Sequence, residues 1–306
     1  MTDQNPIGAP APPTHAPWFR RSPIVERPGP ATSERLAVTL VLDLRAMEDP
    51  AAGPPTTLEP PGGRGTAPPP DHPRISHREY GHRVGIFRLL SRCQDRGIRP
   101  TVVLDVLTAE HYPAVVDAVR TAGAEIIAGG LSAGRAITAT LPEEVERRLV
   151  ETSLHRLEQV LGQRPRGWFG AEHGESPRTP AILAESGLEF LLDWGNDEQP
   201  VPLEGAPPLW SVPVSWELSD LAALYHRQVL PWTYVTSVID AVEQMVVESR
   251  TQPRVLALHW HPWLIGQPFR MATLEPLLDR LAAPDLTVTT PGGILERWRG
   301  PTPAGS

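Results

Sequence analysis

Acidic and histidine side chains stand at the ends of several short apolar runs in this chain. Residues 255–259 form such a run, and His259 and His261, two positions apart, fall on one side of an extended backbone. An imidazole in a partly apolar site can act as acid or base near pH 7, so His261 is a candidate for moving a proton. Carboxylates that could orient this histidine or activate water follow other runs; they are Asp43, Glu175, Asp193, Asp197 and Asp220.

Side chains suited to binding a substrate occur in the same stretches. Arg270 could hold a carboxylate or ureido oxygen through its paired donors, and tryptophans could line a pocket for a flat ligand. The candidates for substrate binding are Arg270, Trp194, Asn196, His259, Trp263 and Gln267. The structural alternative is that the Asp and Asn side chains cap loops and the tryptophans fill the core. Glu172 and His173 are adjacent and would point apart on an extended backbone, so they are not expected to act together.

The elements that must position these residues alternate between strands and helices. Apolar, β-branched runs predict strands or extended segments at 36–44, 101–106, 125–128, 167–169, 189–192, 209–214, 255–259 and 286–290. Helical spacing predicts helices at 81–96, 113–122, 140–161, 177–185, 234–249 and 271–281, with a short one through 298. The longest of these opens on Thr140-Leu-Pro-Glu143, a predicted capping box. This order favours a parallel sheet closed into a barrel, with chemistry at the carboxyl ends of its strands.

The composition predicts how the chain is divided into segments and which classes of partner it disfavours. Residues 1–34 are rich in proline and predict a tail, 35–299 the barrel domain, and 47–77 a long Pro/Gly-rich loop within it. The net charge of −8 favours neither nucleic acid nor a membrane surface as partner. All 28 basic residues are arginine, which excludes a Schiff-base lysine and a phosphate-loop lysine. The single Cys93 excludes an internal disulfide and a thiolate metal cluster.

The N-terminus has no basic segment followed by an apolar core, so the sequence predicts a cytoplasmic protein. We expect a small-molecule substrate, and the sequence leaves a homo-oligomer open.

Four stretches together resemble one known family. They are REYGHRVGIFRLL (78–90), RPRGWFG (164–170), LDWGNDEQP (192–200) and HPWLIGQPFR (261–270). In this order the chain resembles the polysaccharide deacetylases (NodB-like, carbohydrate esterase family 4), and specifically their allantoinase-like branch. The resemblance implies an α/β fold, a distorted (β/α) barrel of about seven parallel strands. It also implies hydrolysis of carbon–nitrogen bonds, of acetamido groups in the main branch and of ring amides or imides in the allantoinase-like branch.

The chain departs from the main branch where that branch binds its metal. The main branch has an Asp-Asp pair after the first strand, whereas here Leu44-Arg45-Ala46 follows Asp43. The metal-binding histidine after the third strand has no counterpart in residues 127–131. The Leu-His motif after a late strand matches either His259 or His261, and we favour His261. Asp43 and Arg45 share a face of the strand and could instead form a buried ion pair.

These departures favour a metal-free site without a cofactor. A replacement ligand set drawn from Asp43, His173, His259 and His261 stays open, because a catalytic zinc needs about three ligands. The sequence therefore supports two hypotheses. The first is a metal-independent hydrolase of an amide, cyclic amide or ureide. The alternative is a catalytically inactive pseudoenzyme that binds a small molecule or a partner.

Overall fold

The structure, a computed structural model, describes residues 23–27, 35–48, 72–204 and 209–299. Most of the predicted tail and of the predicted 47–77 loop lies outside these ranges. Within the tail, Ile24–Glu26 forms a short 3₁₀ turn, and the Arg27 guanidinium pairs with Asp197 at 2.7 Å. This contact ties the N-terminal segment to the body of the protein.

Nine strands of the described chain form one curled, largely parallel sheet. They are β1 (Leu36–Asp43), β2 (Thr101–Leu104), β3 (Glu125–Ala128), β4 (Gly167–Trp168), β5 (Phe190–Leu191), β6 (Val201–Pro202), β7 (Trp210–Ser211), β8 (Arg254–Trp260) and β9 (Thr287–Val288). Their order is β6-β7-β5-β4-β3-β2-β1-β8, and β9 also pairs with β1. Only the β6–β7 pairing is antiparallel among the described strands. The predicted distorted barrel is confirmed.

The two ends of this sheet approach each other without pairing as strands. Val255 N–H donates to the Glu198 carbonyl at 2.7 Å, and Ser215 N–H donates to the Ala257 carbonyl at 3.4 Å. Loops after β5 and β7 therefore bridge the open side of the half-barrel to β8.

Ten α-helices of the described chain cover the outside of the sheet. They are α1 (His72–Tyr80), α2 (Ile86–Gln94), α3 (Val106–His111), α4 (Pro113–Thr121), α5 (Glu143–Leu161), α6 (Thr179–Glu185), α7 (Pro231–Glu248), α8 (Pro262–Ile265), α9 (Pro268–Leu281) and α10 (Pro291–Arg299). Two π-helical segments add to them, Gly81–Gly85 between α1 and α2, and Leu221–His226 before α7. Within the described ranges, no helix combines the length and the apolar character needed to cross a membrane.

Side chains of β1 alternate between two cores, as the period of a strand requires. Leu36, Val38, Leu40 and Leu42 pack outwards against the helices. Ala37 and Val41 pack inside the barrel, in a second core with Val103, Phe169, Phe190, Val255 and Ala257. Because the interior is filled, the barrel leaves room for chemistry only at the ends of its strands.

Glycines let the first helical layer press directly onto α8. A Cβ atom on Gly85 would lie 2.0 Å from the Pro262 carbonyl oxygen, and one on Gly81 would lie 2.9 Å from the Trp263 nitrogen. A Cβ on Gly266 would lie 2.8 Å from the Cα of Gly85. The π-helical segment therefore touches the backbone that follows His261, and no larger residue fits between them.

Several boundaries differ from the sequence expectation. Residues 72–77, predicted as loop, belong to α1, and α3 begins at Val106, where a strand end was predicted. The predicted capping box does not form, since α5 has Pro142 at its N-cap and no side-chain cap. Thr140 Oγ1 instead hydrogen-bonds Thr138 Oγ1 at 3.2 Å. A proline already fixes the backbone at this helix start, so the threonine is not needed there.

Candidate active site

The pairing of β1 with β8 brings together the residues at their carboxyl ends. Val41 lies level with His259, and Leu42 lies level with Trp260. The inner core therefore ends, at the carboxyl ends of the two strands, in three polar side chains: Asp43, His259 and His261. The rings of the two histidines are 4.5 Å apart, and all three side chains are buried.

Arg45 takes up the carboxylate of Asp43. Its Nε donates to Asp43 Oδ1 at 2.9 Å, and its Nη2 forms a close contact with Oδ2. Its Nη1 donates to the Phe169 carbonyl at 3.2 Å, and its guanidinium lies 5.2 Å from the Phe169 ring centre. The buried ion pair that the sequence left open as one interpretation of Asp43 and Arg45 is present.

His259 completes the environment of Asp43. Its Nε2 lies 3.1 Å from Asp43 Oδ2, a distance at which an N–H donates to the carboxylate. Burial by itself would raise the pKa of Asp43, yet Arg45 and the His259 hydrogen bond hold that pKa well below its usual range. Burial lowers the pKa of His259. At neutral pH this predicts an ionised Asp43, which is a weak base, next to a neutral His259.

His261 is oriented by a different carboxylate, that of Asp220. Its Nδ1 lies 2.8 Å from Asp220 Oδ1, and its backbone N–H donates to Asp220 Oδ2 at 2.8 Å. Asp220 is completely buried just before the π-helical segment Leu221–His226. Because Nδ1 faces Asp220, Nε2 is the ring nitrogen left for chemistry, and it lies 3.8 Å from Asp43 Oδ2, beyond hydrogen-bonding range.

A narrow pocket opens over these groups. Its volume is about 30 Å³, the space of roughly one water molecule or one small functional group. Trp216 and Trp263 form apolar walls. The remaining lining residues are Asp43, Arg45, Arg78, Ala133, Ala171, Glu172, His173, Leu221, His259 and His261. The pocket therefore admits a few atoms of a ligand to the two histidines.

Two further predicted acids, Asp193 and Glu175, form a pair beneath the pocket wall. The two carboxyl groups are close enough to affect each other's protonation. Burial raises the pKa of Asp193 to about 7, and burial together with the Asp193 charge raises that of Glu175 well above its ordinary value. Asp193 accepts the Gly170 N–H at 2.6 Å, and Trp194 hydrogen-bonds Glu175. None of these side chains lines the pocket.

Other predicted site residues lie away from the pocket. Asp197 binds Arg27 and accepts the backbone N–H groups of Glu198 and Gln199. With Asn196 it borders a separate cleft beside the N-terminal segment. Arg270 donates to the Leu264 carbonyl at 2.7 Å and stacks on Phe269. Gln267 donates to the Trp263 carbonyl at 3.1 Å.

Two adjacent residues that the sequence did not predict to act together complete the pocket. Glu172 and His173 both line it, because both adopt left-handed backbone conformations, with φ of 56° and 54°. Their turn is not the extended backbone on which adjacent side chains point apart. His173 Nδ1 lies 3.1 Å from the Asp193 carbonyl, and burial lowers its pKa to about 3. Strained backbone of this kind is most often retained at functional sites.

Two buried side chains, Asp105 and His82, hydrogen-bond the backbone of the loop that carries Arg45. Asp105 accepts the Ala46 N–H at 2.8 Å and caps α3 through the Thr108 N–H at 2.7 Å. His82 Nε2 lies 3.0 Å from the Leu44 carbonyl. These contacts fix the backbone on both sides of Arg45, so the guanidinium is presented in a defined position.

A divalent metal does not fit the site while Arg45 is in place. Asp43, His259 and His261 offer ligand atoms that all lie within 4.8 Å of one another. However, both oxygens of Asp43 already accept bonds from Arg45, and Oδ2 also contacts His259. A metal ion would place a second cation against the guanidinium and would require His259 to give up its bond to Asp43.

Comparisons with known proteins agree with this architecture. No family model matches the chain. A putative polysaccharide deacetylase from Schizosaccharomyces pombe is 24% identical over 247 residues, which cover 74% of this chain and 76% of that protein. The crystal structure of Puue allantoinase superposes with a TM-score of 0.79 at 21% identity, covering 92% of this chain and 98% of the other.

A probable polysaccharide deacetylase from Pseudomonas aeruginosa PAO1 gives a TM-score of 0.79 at 22% identity, again covering 92% of this chain and 98% of the other. The resemblance read from the four sequence stretches is thus confirmed at the level of the fold. The chain has the polysaccharide-deacetylase (NodB-like) fold, in the form that Puue allantoinase also adopts.

Proposed function

We propose that this protein hydrolyses a carbon–nitrogen bond in a small amide, cyclic amide or ureide, without a metal ion. The observation that carries the proposal is the His261–Asp220 pair, which opens onto a pocket too small for more than one functional group. Support from the comparisons is coarser, since the similar proteins include an allantoinase and polysaccharide deacetylases.

His261 is the group in position to move the proton. Asp220 accepts Nδ1–H, so the lone pair of Nε2 faces the pocket and can take a proton from water as it attacks the acyl carbon. The same nitrogen then returns the proton to the leaving nitrogen. Asp43 is a poor alternative base, because Arg45 holds its pKa well below the usual range.

Arg45 supplies positive charge where a metal would otherwise lie. Its guanidinium has five donors, and the contacts to Asp43 and Phe169 use three of its nitrogen atoms without exhausting their hydrogens. A fixed cation at the floor of the pocket stabilises negative charge that develops on an acyl oxygen. This arrangement supports hydrolysis that a metal chelator does not inhibit.

The test is a hydrolysis screen of allantoin, hydantoin, succinimide and N-acetylglucosamine, with and without a chelator. We expect chelator-insensitive turnover of a ring amide or ureide. His261→Ala and Asp220→Asn should each lower kcat by about 10²-fold or more, the scale of an acid–base group and of its orienting partner. Both variants should keep the wild-type circular dichroism spectrum. Turnover that survives in His261→Ala would remove this histidine from the mechanism.

The second candidate is a binding protein without turnover. The Arg45–Asp43 ion pair favours it, since it lowers the pKa of Asp43 and leaves this buried carboxylate a weak base. Saturable binding of a ring amide with no hydrolysis, for the wild type as for His261→Ala, would favour this candidate over the enzyme.

A further inference from the structure

Arg78 presents a buried guanidinium to the pocket. It lies on α1 with 8% of its surface exposed, and its guanidinium stacks 4.5 Å from the ring centre of Trp263. Among the described residues no carboxylate is within ion-pair distance of it. A buried arginine without such a partner retains donors for a ligand.

The neighbouring arginines are already engaged. Arg45 binds Asp43 and the Phe169 carbonyl. Arg88 donates to the Tyr80 hydroxyl at 2.9 Å and to the Gly266 carbonyl. Arg270, which the sequence suggested for substrate binding, donates to the Leu264 carbonyl and does not line the pocket. Of the two that line the pocket, Arg45 and Arg78, Arg78 is the one without a carboxylate partner among the described residues.

Glu172 provides the complementary acceptor. It is exposed at the mouth of the same pocket, and its charge acts on both Arg78 and Arg45. Its φ of 56° shows that the turn after β4 is held in a strained conformation that directs this side chain to the pocket. A donor and an acceptor thus line one narrow space between apolar walls.

We propose that Arg78 and Glu172 select the substrate by holding the two polar edges of a flat, uncharged amide-type group. Arg78 donates to its carbonyl oxygen, and Glu172 accepts from its N–H. A carboxylate in the same position would meet the negative charge of Glu172 and would leave no N–H for it. This assignment rests on the proposed function for its substrate class, but it makes a separate prediction about binding.

The experiment measures equilibrium binding of hydantoin and of N-carbamoylglycine, its ring-opened anion, through tryptophan fluorescence. Wild type is compared with Arg78→Met, Arg78→Lys, Glu172→Gln and the exposed Arg83→Met as matched control. We expect wild type to prefer hydantoin. Arg78→Met and Glu172→Gln should each weaken hydantoin binding by about tenfold or more, Arg78→Lys less, and Arg83→Met not at all.

The most discriminating measurement is the binding of the anion N-carbamoylglycine. Glu172→Gln removes the repulsion and should bind N-carbamoylglycine more tightly than wild type does, a gain that a merely structural role would not produce. Equal hydantoin binding by Arg78→Met, a wild-type preference for the anion, or no binding of either probe would each overturn the assignment. Ring opening is followed in parallel. If the binding affinities change as expected but no ring opening occurs, the proposed hydrolase activity is refuted and the binding role of Arg78 and Glu172 stands. If ring opening occurs and KM is unchanged in Arg78→Met and Glu172→Gln, only the binding role of these two residues is refuted.

Discussion

At the scale of single residues, the decisive feature is the set of groups around the Asp43 carboxylate. The Arg45 guanidinium contacts the Asp43 carboxylate. Asp43, His259 and His261 could together bind a metal ion if Arg45 did not occupy the Asp43 carboxylate. The protein's own side chain therefore competes for the position of a metal ion, and removing that side chain should reverse the competition.

We predict that Arg45→Ala creates a zinc site. Removing the guanidinium leaves the Asp43 carboxylate buried, charged and beside two imidazoles, a combination that favours a divalent ion. Metal analysis and isothermal titration calorimetry should find about one equivalent of zinc in this variant and none in wild type.

The control for this prediction is Arg45→Ala/His259→Ala, which lacks one ligand and should lose the zinc. Stoichiometric zinc in wild type, or none in Arg45→Ala, would show that Arg45 does not decide metal binding.

At the scale of elements, the position of His261 depends on how closely two helical segments approach. The Gly81–Gly85 segment contacts the backbone of α8, which begins one residue after His261. The stretch REYGHRVG that contributed to the family resemblance contains both glycines, so part of its sequence pattern reflects this close contact rather than chemistry.

Gly85→Ala should destabilise the protein by about 1–3 kcal/mol, because its methyl group would overlap the Pro262 carbonyl oxygen and force the two segments apart. Urea denaturation measures the change in the free energy of unfolding. Gly134→Ala is the matched control, since a Cβ there meets nothing nearer than 3.9 Å. Equal stability of the two variants would mean that the segments separate without cost.

At the scale of the whole molecule, the buried acid pair links folding to pH. Asp193 has its pKa raised to about 7 and Glu175 well above its ordinary value, both chiefly by burial. The folded state therefore keeps protons that the unfolded chain releases above about pH 4. The stability from these protons is fully present below that pH and is lost as the pH rises through about 7.

Glu175→Gln should reduce this loss. The variant lacks the carboxyl whose proton the folded state retains most strongly, and its neutral amide does not titrate. Between pH 5 and pH 8 the variant should lose about 1–3 kcal/mol less stability than wild type, as measured by urea denaturation at both pH values. Glu144→Gln, at an exposed position on α5, should follow wild type. A variant as pH-sensitive as wild type would place the proton elsewhere.

The sequence by itself determined eight of the nine described strands and seven of the ten described α-helices, in their order. It also placed His259, in β8, and His261, just after it, on the same side of the chain. Both follow from local periodicity, which the backbone reads over a few residues. It also allowed the Asp43–Arg45 pair, whose members are only two positions apart.

Only the tertiary structure decided which distant residues meet. Asp220 reaches His261 across 41 positions, Asp197 turns to Arg27 instead of the pocket, and Arg78 arrives on a helix predicted in part as loop. Such contacts depend on how the crossovers curl the sheet and how closely helices pack on it, and no periodicity in the chain encodes those distances. The sequence also did not predict the left-handed turn at Glu172 and His173. Non-glycine residues adopt this conformation only where the surrounding tertiary structure imposes it.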